Sequence, residues 1–291
     1  AERFRVVYEP TLVDRREELL AAVAEADALV VRNRTQVDGQ VLAAAPKLKV
    51  VGRLGVGLDN IDTNACAARQ VEVIPATGAN ALAVAEYVIA TAMVLLRGAY
   101  LSTAEVAAGL WPRPRLSSGR ESAGKTLGLV GFGGIGRLTA RLAQALGMQV
   151  IAHDPMIGAD DPVWAESGVA ARSLEALLAE ADVVSLHVPL TDATRHLIDG
   201  RCIDTMKRGA VLINTARGGI VNEAAVASAL RLGRLAGAAL DVFADEPLGA
   251  GSPLVDAPNL ILTPHIGGVT LESNARVSAM IAERVTHFLT Q

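Results

Sequence analysis

The sequence predicts an α/β protein of two domains, each built on a parallel sheet. Three observations carry that expectation. Short apolar, β-branched runs alternate with segments of helical period along almost the whole chain, and such alternation implies βαβ units and parallel strands. Two of the runs, in "VVGRLGVGLDNID" (50–62) and "LVGFGGIGR" (129–137), end in glycine-rich loops. The chain has 291 residues, of which 51% are hydrophobic but only 3% aromatic, so Ala and Val carry the apolar load. That mix suits buried parallel strands covered by Ala-rich helices.

From the N-terminus, "FRVVY" reads as a strand, "RREELLAAVAEA" as a helix, "ALVVR" as a strand, and a short helix ends near Pro46. "LKVV" leads into the first glycine loop, then a short helix, then the strand "VEVIPA". The stretch 81–110 is helical by spacing, with apolar residues on most faces, as for a helix that is buried or shared between domains or subunits. "WPRPRLSSGRESAG" breaks it with two prolines and reads as a loop or arm. A longer series then runs through "TLGLVGF", "GGIGRLTARLAQALG", "QVIAHD", "SLEALLAEA", "DVVSLHV", "AVLINTA", "NEAAVASALRLGR", "LAGAALDVF" and "LILTP". The terminal "LESNARVSAMIAERVTHFL" is an amphipathic helix.

Composition excludes several classes. A net charge of −4 argues against nucleic acid. Cys66 and Cys202 lack CxxC spacing and read as reduced core residues of a cytoplasmic protein. Neither a signal peptide nor a membrane span is expected. No His/Cys cluster has zinc-site spacing, so no metal is implied.

Gly131, Gly133 and Gly136 stand in G-x-G-x-x-G spacing between a strand and a helix, and the next strand ends in Asp154. This is the Rossmann-type dinucleotide fingerprint. The first glycine makes the tight turn, the second admits the pyrophosphate, the third lets helix and strand pack closely, and the acid meets a ribose diol. The helix N-terminus faces the phosphates. A carboxylate at Asp154 would repel a 2′-phosphate, so the expected cofactor is NAD. "GRESAGKT" (119–126) formally fits a phosphate-binding P-loop, but a Pro/Ser loop precedes it and a strand comes after it, so it is rejected.

Ligands of open α/β sheets bind beyond the carboxyl ends of the strands. The polar residues there are Asp154, His187, Thr215, Arg217, Asp241, Glu246 and His265. His265 in "LTPHIGG" has company: Glu246 in "DVFADEP" and Arg217 in "NTARGG". Such a set suits hydride chemistry on a 2-oxo acid. The carboxylate orients the imidazole, the imidazole exchanges a proton with the substrate oxygen, and the guanidinium binds the substrate carboxylate.

Taken together, "GRLGVGLDNID", "TGANALAVAEYVI", "GKTLGLVGFGGIGR", "LHVPLTDATRHLI", "INTARGG", "ALDVFADEP" and "LTPHIGG" resemble the D-isomer-specific 2-hydroxyacid dehydrogenase family, in family order over nearly the whole chain. The resemblance implies that Arg217, Glu246 and His265 are catalytic. It implies cofactor contacts at Gly134, Ile135, Asp154, Thr215, Ala216, Asp241 (to the nicotinamide amide), Gly267 and Gly268, with the backbone of His187, Val188 and Pro189 beside the adenosine. It also implies a discontinuous, flavodoxin-like substrate domain of residues 1–97 and 268–291, with the NAD domain, 98–267, inserted into it. A homodimer is implied too, with residues around 81–125 in its interface. His153 stands where many relatives have Tyr. Glu246 speaks against the formate dehydrogenase branch, which pairs its His with Gln. With no regulatory domain after residue 291, the expectation is a short form rather than a serine-regulated one.

The resemblance assigns the first glycine loop to the substrate. The N–H groups of Leu54, Gly55, Val56 and Gly57 would form a nest for the 2-oxo-acid carboxylate, Asn80 would add a side-chain contact, and Arg53 would pair with a second anionic group. The blocks look similar to 3-phosphoglycerate and bacterial sulfolactate dehydrogenases, so a small, dianionic 2-hydroxy acid is expected. The alternatives are a glyoxylate or hydroxypyruvate reductase and, in another class, an NAD-sensing dehydrogenase-like co-repressor.

Overall fold

A computed structural model describes residues 4–291. The chain divides into two compact units. One runs to Asn80 and resumes at Thr270–Gln291; the other is Ala81–Val269.

The first unit contains α1 (Arg16–Ala22), β1 (Ala28–Val31), α2 (Gly39–Ala44), β2 (Val50–Arg53), α3 (Thr63–Ala68) and β3 (Glu72–Pro75). Its strands pair in the order β1-β2-β3, all parallel, with Val51 opposite both Leu29 and Val73. Carboxylates set the helix starts: Asp38 accepts from the amides of Gln40 and Val41, and Asp62 from that of Ala65. The flavodoxin-like expectation holds only as far as a parallel α/β sheet, because the strand order here is sequential. "FRVVY" is not a strand. Val6, Val7 and Tyr8 are 70–85% exposed, for β-propensity makes no strand where no ladder partner meets the segment.

The second unit opens with α4 (Ala81–Arg97), α5 (Thr103–Ala107) and α6 (Arg113–Leu116). Gly98, in the left-handed region at φ 68°, stops α4, so the expected continuous helix over 81–110 is broken there. The series continues with β4 (Thr126–Val130), α7 (Gly134–Ala145), β5 (Gln149–His153), α8 (Pro162–Ser167), β6 (Ala170–Ala171), α9 (Leu174–Glu180), β7 (Val183–Leu186), α10 (Gly200–Thr205), β8 (Ala210–Asn214), α11 (Glu223–Arg231), β9 (Leu235–Leu240) and β10 (Leu260–Leu262). The seven strands are all parallel in the order β10-β9-β8-β7-β4-β5-β6. Order reverses between β4 and β7, and that switch point is where such sheets bind ligands.

The unit boundary differs from the expected one at 97/98. Val88, Ala92, Leu95 and Leu96 of α4 share one core with Leu127, Leu129, Val211 and Ile213 of the seven-stranded sheet, so α4 belongs to the second unit. Cys66 and Cys202 are both free thiols.

The chain ends in α12 (Leu271–Leu289), started by a capping box between Thr270 and Ser273. Val277, Ile281 and Val285, one helical stripe, are buried in the first unit with Val50, Ala76 and Ala79. A Cβ at position 52 would lie 2.7 Å from Ile281 Cγ2, so the glycine in "VVGR" lets α12 lie directly on β2. Among the described residues no single helix is long and apolar enough to cross a membrane.

Candidate functional site

The dinucleotide fingerprint sits at the switch point. Gly131 comes just after β4 with φ 97°, and a Cβ there would stand 2.5 Å from the carbonyl oxygen of His187, just past β7. Only glycine meets both demands. At position 136 a Cβ would stand 2.4 Å from the Gly131 oxygen, which accounts for the close packing of α7 on its loop. Positions 133 and 134 meet nothing within 4 Å, and Gly133 caps α7 without a side chain. The amides of Gly134, Ile135 and Gly136 therefore lack intrahelical acceptors, as at any helix start, an arrangement able to hold a pyrophosphate.

Asp154 stands at the end of β5, as the spacing requires. Its Oδ2 accepts from the amide of Phe132 at 2.8 Å and its Oδ1 from that of Met156 at 3.0 Å. A carboxylate has about four lone-pair sites, so each oxygen keeps one for a ribose hydroxyl. His153, beside it, turns Nδ1 to the carbonyl of Arg172 at 3.1 Å. His187 bonds through Nε2 to Ser185 Oγ at 3.1 Å, and burial lowers its pKa to about 4, so the imidazole is neutral near pH 7.

After β8, the buried Asn214 shapes the next loop. Its Nδ2 donates to the carbonyl of Arg217 at 2.9 Å, and its Oδ1 accepts from the amide of Ala216 at 3.1 Å. Thr215 Oγ1 is buried in that loop with no hydrogen-bond partner. A buried orphan hydroxyl costs free energy unless a ligand completes it, so Thr215 fits the cofactor contact expected of it. A Cβ at position 218 would overlap the carbonyl of Phe243, 1.6 Å away, so Gly218 brings the Arg217 loop onto the loop that carries Glu246.

Glu246 and His265 meet: Oε2 lies 2.8 Å from Nδ1. Oε1 accepts from the amide of Phe243 at 3.1 Å, which fixes the carboxylate. Both side chains are 36–40% exposed. The Glu246 bond occupies Nδ1 and leaves Nε2 for proton exchange with a ligand. His265 has φ 55°, a conformation that costs a non-glycine residue about 1–3 kcal/mol and persists only where its surroundings impose it.

Asp241, 1% exposed at the end of β9, has a larger part than the expected nicotinamide contact. Its Oδ1 accepts from Thr263 Oγ1 at 2.6 Å and from the Ile266 amide at 2.9 Å, and Oδ2 from the Gly267 amide at 2.7 Å. Three of about four lone-pair sites are filled, leaving one on Oδ2 for an amide N–H₂. Asn214 and Thr263 escape a residue-by-residue reading of the sequence. A polar residue closing an apolar strand is the available signal for both, in "AVLIN" and in "LILT".

In the first unit, the loop after β2 departs in part from the expected nest. The Leu54 amide donates to the Val31 carbonyl at 2.8 Å and the Gly55 amide to that of Arg53 at 2.8 Å. Both are spent on the sheet edge and a tight turn, so the nest narrows to Val56 and Gly57. Arg53 is 9% exposed, and its Nη1 donates to the carbonyl of Leu54 at 2.8 Å, folding the guanidinium over its own loop. Asn80 Oδ1 is buried without a hydrogen-bond partner.

Residues 89–267 match the family described as "D-isomer specific 2-hydroxyacid dehydrogenase, NAD binding domain". The whole chain is similar to an (S)-sulfolactate dehydrogenase of Chromohalobacter salexigens, 57% identical over 98% of this chain and 91% of that protein. It is 45% identical to a D-3-phosphoglycerate dehydrogenase of Mycobacterium leprae, over 93% of this chain but 50% of that protein; the chain thus spans about half the length of that relative. Among solved structures, a D-lactate dehydrogenase of Aquifex aeolicus complexed with NAD and lactic acid is 30% identical with a TM-score of 0.82, covering 93% of this chain and 85% of that one.

Proposed function

This chain belongs to the D-isomer-specific 2-hydroxyacid dehydrogenase family, and on that premise we propose that it acts on a dianionic 2-hydroxy acid of the 3-sulfolactate type. The observation that carries the reaction is the 2.8 Å pair of His265 and Glu246, held by the same unit that carries the dinucleotide loop. The substrate class is supported by the sulfolactate relative, whose match covers nearly all of both chains, whereas the phosphoglycerate relative is matched over half its length. The (S) label is no obstacle. Sulfur reverses the priority order at C2, so (S)-3-sulfolactate has the spatial arrangement of D-lactate and of D-3-phosphoglycerate.

Bound NAD supplies the hydride acceptor, or as NADH the donor. The first turn of α7, Asp154, Thr215 and Asp241 would hold it, and each retains hydrogen-bonding capacity for it. In the reductive direction His265 gives the Nε2 proton to the carbonyl oxygen while Glu246 holds the ring by Nδ1. Arg217 binds the carboxylate. In the first unit, the amides of Val56 and Gly57 and the side chain of Asn80 are the groups suited to an anion, and Arg53 keeps their loop in shape.

The enzyme is read as a homodimer. Met93, Tyr100, Leu101, Val106, Leu110 and Trp111, in and after α4, are 42–75% exposed, an apolar run that a second copy would cover. The test of function is NADH oxidation with sulfopyruvate, 3-phosphohydroxypyruvate, hydroxypyruvate, oxaloacetate and glyoxylate. Sulfopyruvate is expected to give the highest kcat/KM. Equal or better turnover of glyoxylate would overturn the dianion reading, and no turnover on any would overturn the reaction.

A further inference from the structure

The mechanism leaves one connected set of polar groups without a role. Thr263 has a single hydroxyl proton and gives it to Asp241 Oδ1 at 2.6 Å. Tyr87 Oη lies 2.7 Å from the same Thr263 oxygen, so the tyrosine must be the donor of that bond. The chain runs one way, from the phenol of α4 through Thr263 to a buried carboxylate. Beyond that carboxylate lies the segment that carries the imidazole. The amides of Ile266 and Gly267 donate to the Asp241 side chain, and the amide of His265 donates to the Asp241 main-chain oxygen at 2.8 Å. The segment is also enclosed sterically. A Cβ at position 267 would stand 2.9 Å from Asp241 Oδ2 and 3.5 Å from Tyr87 Cγ, so glycine is what allows the backbone to pass between the two side chains.

We infer that Tyr87 and Thr263 are positioning residues for the hydride-transfer reaction: their hydroxyls fix the Asp241 carboxylate, which in turn holds residues 265–267 in the turn that sets the His265 imidazole on Glu246. The inference rests on the reading of His265 as the proton-exchanging group. Its physical basis is the left-handed backbone at His265, which relaxes unless the amides on either side have a fixed acceptor. Asp241 is that acceptor, and the rotation of its carboxylate is fixed from the far side by Thr263. Tyr87 stays a donor at neutral pH because burial, helped by the Asp241 charge, holds its phenol above the usual value. Tyr87 lies in the block "TGANALAVAEYVI", but nothing there marks its hydroxyl, and it reads simply as an aromatic on an apolar helix.

The experiment compares Thr263→Val, Thr263→Ser and Tyr87→Phe with the parent enzyme by two readouts. The first is hydrogen exchange at the Ile266 and Gly267 amides, measured without cofactor or substrate. It is expected to quicken about tenfold in Thr263→Val, less in Tyr87→Phe, and to return to the parent rate in Thr263→Ser. The second is steady-state turnover with NADH. In Thr263→Val kcat should fall about tenfold while KM for NADH changes less than about threefold, and Thr263→Ser should restore kcat to within about twofold. A role confined to stability would lower the folded fraction and move every parameter together, without that split. Unchanged exchange in both Thr263→Val and Tyr87→Phe overturns the inference, as does a serine variant no better than the valine one. Tyr87→Phe removes one hydroxyl and keeps the ring, so it carries the same test should Thr263→Val not fold. Exchange is read on the free protein, so it decides the relay even if no oxo acid is turned over.

Discussion

The two glycine loops begin alike and end as different devices. Each succeeds a buried parallel strand, β2 in one unit and β4 in the other, and each offers several small residues in a row. After β4 the chain turns at Gly131 against the His187 carbonyl and enters a helix of 12 residues, whose first amides stay open. After β2 the chain spends the amides of Leu54 and Gly55 on backbone carbonyls, and Arg53 folds across the loop. The next helix, α3, has only six residues and does not begin until Thr63. The loop after β4 is suited to an anion by a helix terminus and by the open space at Gly133 and Gly134. The loop after β2 has two amides and a guanidinium, and its shape depends on a side chain. Glycine richness after a strand is therefore not itself a dinucleotide signal. The element into which the glycines lead makes the difference.

The largest effect tests the proposed chemistry. His265→Gln should lower kcat by about 10²–10⁴-fold with little change in the Kd for NADH, measured by steady-state kinetics and fluorescence titration. A loss below about tenfold would remove His265 from its role. Gly131→Ala strikes the cofactor loop. With φ 97° and a backbone oxygen 2.5 Å from the new Cβ, the turn must open, and NAD affinity should drop by about a hundredfold while turnover at saturating NAD suffers less. Retained affinity would mean that the turn is not the cradle.

Arg53→Ala strikes the other loop and sharpens the contrast. If Arg53 mainly shapes the loop, KM should rise about tenfold for every oxo acid; if it mainly reads the second anion, sulfopyruvate should lose that factor and glyoxylate should not. A double-mutant cycle with Asn80→Ala would then show coupling only in the first case. The smallest expected effect is on stability. His187 has a folded pKa of about 4 against an ordinary value of 6.5, so below 6.5 the unfolded chain takes up a proton that the folded one refuses. Stability should fall with acidification across that window, by about 1 kcal/mol between about pH 7 and pH 5.5. Urea midpoints would measure it, and His187→Gln should flatten the slope.

The alternation of elements, the dinucleotide fingerprint, Asp154 and the His265–Glu246 pair are legible in the sequence because each depends on local chemistry: spacing, turn residues and strand ends. The expectations that fail share a different cause. "FRVVY" has the propensity of a strand but no partner among the described residues. Helix α4 lies in the other unit from the one expected, because a helix apolar on most faces does not say which sheet it covers. Leu54 and Gly55 look available in the sequence, yet their amides are bonded to the carbonyls of Val31 and Arg53.

By itself, then, the sequence determined the parallel α/β class, the glycine spacing of the fingerprint loop and the strand-end residues, Glu246 and His265 among them, that are the candidates for proton exchange, since glycine spacing and strand-end residues act over a few positions. Only the tertiary structure decided which hydrogen bonds those groups complete. Tyr87 and Thr263 are 176 residues apart, and no pattern within either segment predicts that the phenol, the hydroxyl and the Asp241 carboxylate will converge. A buried carboxylate must find donors wherever the fold supplies them, and that choice is made by packing.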